Sequence, residues 1–226
     1  MPVIVMATPK GGAGKSTTSL VLALTLASRG AKVSLVDADA NQPLVRWADN
    51  RPRSVRVIGK VTEETFVSML DQENAARDCV IVDLEGAATR IMTRAIVRSD
   101  LVLIPMQPSA LDAEQAGRMV GLVRQEQEVF RRTIPLRVVM TRTSEKIPTK
   151  TTKRLLANMA AAGVPALRTH LNERVAFKSL FEDKCELTEL NASTVSGVPQ
   201  AIRNADTFTD EVEKLLHALL TQQVAA

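Results

Sequence analysis

The segment Pro9-Lys10-Gly11-Gly12-Ala13-Gly14-Lys15-Ser16-Thr17 constrains this chain more than any other stretch. A β-branched apolar run over Val3–Ala7 precedes it. An apolar helical pattern from about Ser16 to Ser28 follows, with Gly30 as its stop. A glycine-rich turn between a strand and a helix presents several backbone N–H groups at one spot. Those groups form an anion nest, and the helix dipole strengthens it. Gly11, Gly12 and Gly14 give the backbone the angles and the close approach that a nest needs. Lys15 supplies a point charge for β- and γ-phosphates, and Ser16 a hydroxyl ligand for Mg2+. The expected cofactors are ATP and Mg2+. Gly11, Gly12, Ala13, Gly14, Lys15, Ser16 and Thr17 are expected around the phosphates.

The rest of the chain alternates short β-branched runs with longer helical patterns. This predicts βαβ units on a doubly wound, mostly parallel sheet flanked by helices: an α/β fold in one domain over residues 1–226. Further strands are expected at Lys32–Asp37, Val55–Ile58, Cys79–Asp83, Leu101–Pro105 and Leu136–Thr141. Helices are expected at Glu63–Glu73, Arg90–Arg98, Leu111–Phe130, Thr151–Ala162, Arg174–Asp183 and Thr207–Gln222. A surface loop is expected over Asn191–Pro199.

Two acids end strands beside the loop. Asp37-Ala-Asp39-Ala-Asn41-Gln-Pro43 closes the second strand, where ligands bind in open α/β sheets. The same residues also suit a capped turn before a helix near Leu44. Asp83 closes the apolar run Val80-Ile-Val82, a pattern whose acid reaches Mg2+ through water. The metal candidates are Ser16, Asp37 and Asp83. Arg142 suits either stacking on a base or a solvated surface.

Lys-Gly-Gly-Ala-Gly-Lys-Ser-Thr over 10–17 resembles the deviant phosphate loop of the ParA/MinD superfamily, in which a second lysine stands near the start. The resemblance covers nearly the whole chain. It is similar to short, ParF-like ParA proteins and to ParA-like accessory ATPases of conjugative and T-DNA transfer, notably over Asp39–Trp47. It implies that Lys10 reaches the phosphates of a partner subunit in an ATP-bound homodimer. There it would neutralise charge on the transferring phosphoryl group. It implies that Asp39 positions the attacking water, so that Lys10, Lys15 and Asp39 carry catalysis, and that Thr141 and Arg142 lie near the adenine. Gly86 would meet the γ-phosphate through its N–H, although Leu84-Glu85-Gly86-Ala87-Ala88 departs from the usual second switch. The implied function is partition of plasmid or chromosome DNA. It combines weak intrinsic ATPase activity, non-specific DNA binding by the dimer, and stimulation by a small centromere-binding partner. The alternatives are an accessory ATPase that recruits a relaxosome for DNA transfer, and a metabolic P-loop ligase. Long ParA proteins carry an N-terminal helix-turn-helix domain, for which the sequence before the first strand leaves no room.

Composition narrows these readings. The net charge of +4 permits nucleic-acid contact without demanding it, and aromatics at 3% leave little for base-stacking platforms. Cys79 and Cys185 form no CxxC pair, which argues against zinc or iron–sulfur and for a reducing cytoplasm. No apolar run is long enough to span a bilayer. The C-terminal stripe Phe208, Val212, Leu215, Leu216, Leu219, Leu220 faces acids at Asp206, Asp210, Glu211 and Glu213, so core packing explains it better than membrane binding. The expected location is cytoplasmic and nucleoid-associated. From Arg131 to Arg154 eight basic residues (Arg131, Arg132, Arg137, Arg142, Lys146, Lys150, Lys153, Arg154) stand against one acid, Glu145. The run suits either a phosphate-binding face, with Lys146, Lys150, Lys153 and Arg154 as the DNA candidates, or a solvated surface. Arg168, Arg174, Lys178 and Arg203 form a further basic set.

Overall fold

A computed structural model describes residues 1–86, 89–145 and 149–224. The chain runs β1 (Val3–Met6), α1 (Lys15–Ser28), β2 (Val33–Ala38), α2 (Pro43–Ala48), β3 (Arg56–Ile58), α3 (Glu63–Ala76), β4 (Cys79–Leu84), α4 (Arg90–Arg98), β5 (Leu101–Met106), α5 (Ala110–Phe130), β6 (Leu136–Thr143), α6 (Lys150–Ala161), β7 (Leu171–Asn172), α7 (Val175–Glu182) and α8 (Val198–Val224). A short 3-10 turn at Leu187–Glu189 separates α7 from α8.

The seven strands form one sheet in the order β3-β2-β4-β1-β5-β6-β7, and every pair is parallel. Because side chains alternate along β1, Ile4 and Met6 enter one core while Val3 and Val5 enter the other. The first core is closed by α1, α2, α7 and α8, the second by α3, α4, α5 and α6. This two-sided burial explains why the central strands read as continuous apolar runs.

Four serine or threonine caps set helix starts. Thr62, Thr89, Ser109 and Thr149 each accept a backbone N–H three residues on, a contribution of about 1 kcal/mol apiece.

Two expectations need correction. β7 was not foreseen: two residues carry no periodicity, and the strand exists because Leu171 and Asn172 pair with Thr141 and Thr143 of β6. The last helix begins at Val198 rather than Thr207, so the loop ends at Gly197. Val198, Ala201 and Ala205 are all buried in the first core, so packing extends the helix through a polar stretch that showed no clear stripe.

Along α8, Phe208, Val212 and Leu216 are buried against that core, and Arg29 at the end of α1 pairs with Asp206, Asp210 and Glu213. Glu211 accepts the N–H groups of Arg168 and Thr169. The acidic face of this helix thus faces cations and amides of its own chain. Among the described residues no helix is long and apolar enough to cross a membrane.

Candidate functional site

The site lies where the strand order reverses. β1 is flanked by β4 and β5, so the loops leaving all three strands converge at their C-terminal ends. The loop after β1 takes left-handed angles at Gly12 (φ 79°) and Gly14 (φ 97°), and Gly14 starts α1. Gly11 has no positive φ. Its value is closeness: a Cβ on Gly86 after β4 would lie 3.2 Å from the Gly11 nitrogen and from the Lys10 carbonyl carbon. From the β5 side, Gln107 Nε2 donates to the Gly12 carbonyl at 2.8 Å. From β6, Thr141 Oγ1 donates to the Ala13 carbonyl at 2.8 Å. Three neighbouring segments therefore hold the loop open.

Lys15 is buried at the base and donates to the Lys10 carbonyl at 3.1 Å. Burial lowers its pKa, while the charges of Asp83, Asp39 and Glu85 oppose that fall. Asp83 is the most confined acid. Its Oδ1 accepts from Ser19 Oγ at 3.3 Å, and its buried Oδ2 has no hydrogen-bond partner among the described residues. Burial pushes its carboxyl up to about 7; the nearby Ser16 hydroxyl opposes the rise and the charge of Asp37 adds to it. An orphaned buried carboxylate oxygen beside a serine hydroxyl and a cluster of like charges fits a divalent cation.

Asp37 sits across from Asp83 in the strand register. Its Oδ2 accepts the N–H groups of Leu44 (2.8 Å) and Val45 (3.0 Å), so it caps α2 and fixes the segment that carries Asp39. Burial raises the Asp37 carboxyl, and these amides oppose the rise. The alternative of a capped turn is therefore what the geometry displays at Asp37, whose carboxylate lies beside Asp83 on the neighbouring strand. Asp39 Oδ1 accepts from the Asn41 backbone N–H at 2.8 Å, a turn at the rim of the site.

Thr141 and Arg142 border a cavity of about 270 Å3 next to Gly14 and Thr18, closed further by Phe177 and Phe181. Arg142 stands at a bulge between β6 and β7 with φ 52°, a conformation that non-glycine residues adopt mainly where surrounding structure enforces it. The aromatic wall of this cavity comes from α7, which no local motif connects to the phosphate loop. Glu85, Gln107 and Asp112 were likewise given no role from sequence. Only their position just after strands β4 and β5 could have singled them out.

Lys10 is held within its own chain. Its Nζ pairs with the Asp112 carboxylate, whose side chain is 2% exposed against 35% for Lys10. Asp112 Oδ2 also accepts the Gln107 N–H at 2.9 Å, and Oδ1 accepts from Ser109 Oγ at 3.0 Å.

The basic run does not form one face. Arg132 binds the carbonyls of Val97 and Ser99, and Arg137 binds that of Leu136, at the start of β6. Lys150, Lys153 and Arg154 lie beyond the other end of that strand, about 25 Å away, exposed on one side of α6. Lys146 lies outside the described residues, as do Ala87 and Ala88. In the second basic set, Arg174 pairs with Glu145 at 3.0 Å and Lys178 with Glu173 at 2.9 Å.

The sequence profile of the VirC1 protein family matches residues 1–225. The chain is 39% identical over 222 residues to a protein named ParA from Rhizobium radiobacter, covering 97% of this chain and 100% of that one. It is 30% identical to a virC1 protein of Rhizobium rhizogenes, covering 94% of each. Among solved structures, the ATP complex of the D38A variant of Cyanothece McdA superposes with a TM-score of 0.74. That match is at 19% identity, over 94% of this chain and 96% of that one. A phosphate loop with a second lysine, set at the switch point of an all-parallel sheet and matched along its whole length, makes this chain a member of the VirC1 family within the ParA/MinD superfamily of ATPases.

Proposed function

We propose that the chain is an ATP-driven switch for DNA partition, in which ATP closes a homodimer and hydrolysis opens it. The observation that carries this reading is the Asp83 oxygen with no hydrogen-bond partner among the described residues, a buried carboxylate beneath the phosphate loop that a cation at the phosphates would balance. Lys15, now folded back on the Lys10 carbonyl, would turn to the β- and γ-phosphates, while the amides of 11–17 cradle them. Ser16 and Asp83 would hold Mg2+, with Asp37 as the charge behind them, and the ion would offset the negative charge of the phosphates. Asp39 would orient the attacking water, and the cavity beside Thr141 and Arg142 would take the base. Lys10 would act in trans on the partner's phosphates. Weak intrinsic turnover, non-specific DNA binding by the dimer at the exposed face of α6, and stimulation by a small centromere-binding protein complete the cycle. Its place is at the nucleoid in the cytoplasm.

The test is the ATPase rate with and without non-specific duplex DNA, for the native chain and Lys10→Ala. Stimulation that disappears in the variant is expected. A rate indifferent to DNA, rising instead with a small acceptor, would replace this reading with a metabolic ligase.

One observation favours a second reading: the matching family profile is that of VirC1, and a virC1 relative covers 94% of this chain. The same nucleotide cycle would then serve DNA transfer, with a relaxosome as the partner. Pull-down with purified relaxase as against a centromere-binding protein separates the two.

A further inference from the structure

Lys10 is the residue that the proposed cycle sends to a second subunit, yet the chain already gives it an internal partner. That partner is well made. Asp112 is in the first turn of α5, 2% exposed, and its carboxylate accepts from Gln107 N–H and Ser109 Oγ as well as from Lys10. Ser109 in turn accepts the Asp112 N–H and so caps α5. Burial raises the Asp112 carboxyl, but the bonds from Lys10, Gln107 and Ser109 outweigh burial and leave it below its ordinary value. The acid is therefore a fixed, ionised anchor on a rigid helix. The lysine is the mobile half, on a glycine-rich loop.

We infer that Asp112 is a positioning residue that holds Lys10 in its own subunit, so that the dimer forms only when this ion pair is exchanged for the partner's phosphates. The inference rests on the trans role proposed for Lys10. One lysine ammonium cannot sit against Asp112 and against a phosphate of another subunit at once. Each closure of a two-fold dimer must therefore open two such pairs.

The nucleotide itself supplies the trigger. The Lys10 carbonyl accepts from Lys15 Nζ at 3.1 Å, so Lys10 is tied at both ends: its carbonyl to Lys15, its ammonium to Asp112. When phosphates draw Lys15 away, the carbonyl loses its charged donor and the loop is freer to turn. The empty chain is thus kept from presenting Lys10, and the ATP-bound chain is loosened at the residue it must present.

The pair is partly exposed, so its strength belongs near that of surface ion pairs, up to about fivefold per chain. Two pairs open per dimer, so the expected effect on the dimer dissociation constant is a tightening of up to about twenty-fivefold.

The experiment compares the native chain, Asp112→Asn, Lys10→Ala and the double variant. Asn keeps an acceptor oxygen for the Gln107 N–H and turns its amide N–H to the Ser109 hydroxyl, but loses the charge. Sedimentation velocity with Mg2+ and a non-hydrolysable ATP analogue reads the dimer constant. Reductive methylation read by mass spectrometry reports the accessibility of Lys10 without nucleotide. Asp112→Asn should methylate Lys10 several-fold faster and dimerise more tightly, by up to about twenty-fivefold, and Lys10→Ala should erase the second effect. An Asp112→Asn chain with unchanged methylation, or with equal or weaker dimerisation, overturns the proposal. If that variant does not fold, the native chain still decides: Lys10 must methylate more slowly than exposed Lys153, and equal rates overturn the proposal. If Lys10→Ala dimerises like the native chain, the trans role itself fails. If it does not dimerise and Asp112→Asn is inert, only the holding role fails.

Discussion

Replacing Asp83 with Asn should stabilise the nucleotide-free chain while removing its response to magnesium. Asp83 is buried, one of its oxygens has no partner, and Asp37 faces it across the strand pair. Burial, with a smaller contribution from Asp37, raises its carboxyl from 3.8 to about 7. A raised folded value means that the native chain binds the proton more tightly than the unfolded chain. The associated stability is fully present below 3.8 and is lost as the pH rises through about 7. Each unit is worth about 1.4 kcal/mol, so an empty chain at pH 8 is weaker by about 4 kcal/mol through this group. Asn keeps the volume and an acceptor for Ser19. It also leaves an unpaired amide where Oδ2 stood, a loss of about 1–3 kcal/mol. The ionisation effect is the larger, and the net gain is about 2 kcal/mol, or about 5 °C in the melting midpoint for a chain of this size. Calorimetry in EDTA across pH 4–8 is the assay. The gain should be greatest at pH 8, shrink on acidification and reverse near pH 4, where only the unpaired amide remains. Mg-ATP should raise the midpoint of the native chain and leave that of Asp83→Asn nearly unmoved. An Asn chain no more stable than the native one at pH 8, or a margin independent of pH, would refute the assignment of Asp83 as an uncompensated buried acid.

Two further outcomes are expected. Gly14→Ala places a Cβ at φ 97° and 3.3 Å from Thr141 Cγ2, so the loop must shift at the base of the nest; ATP affinity by calorimetric titration should fall about tenfold, roughly the 1–2 kcal/mol of a left-handed Ala, and an unchanged affinity contradicts the loop geometry. Replacing Lys150, Lys153 and Arg154 together with Ala should weaken duplex binding and reduce the salt slope by up to about 2.7, at about 0.9 per lost phosphate contact; an unchanged slope removes α6 from the DNA surface.

Legibility tracked the range of the interactions. The phosphate loop was legible because glycines, lysine and serine act within nine consecutive residues between a strand and a helix. Strands β1, β2, β4, β5 and β6 were legible because two-sided burial writes an apolar run into each. The bond from Lys10 to Asp112 spans 102 residues, and the cavity wall at Phe177 and Phe181 comes from a helix far along the chain. Such partners carry no spacing signal, because the sheet order brings them together. The basic run is the opposite case. It is contiguous in sequence, but β6 separates its two ends, and Arg132 and Arg137 bind carbonyls at the start of that strand. α8 was cut short because its first turns pack small residues, Ala201 and Ala205, rather than a stripe of large ones.

The same non-local construction explains why this site should respond to its ligand as a unit. Gly86 lies close to the loop, and Gln107 and Thr141 bond to it, each from a different strand end, so a shift of the loop is passed to β4, β5 or β6. Within that frame the charges are unbalanced. Asp83, Asp39 and Glu85 surround one buried lysine, and Asp37 stands behind Asp83. A rigid frame around an unbalanced charge set gives the nucleotide and its metal a large differential interaction with the assembled state, which any ligand-driven transition requires. Because Lys15 is tied to the Lys10 carbonyl, satisfying that charge set also alters the residue that the proposed cycle sends to a second subunit. In that cycle nucleotide occupancy and dimer formation are coupled through one loop, and linkage makes the coupling reciprocal: a second subunit that engages Lys10 must tighten ATP by the same factor that ATP tightens the dimer.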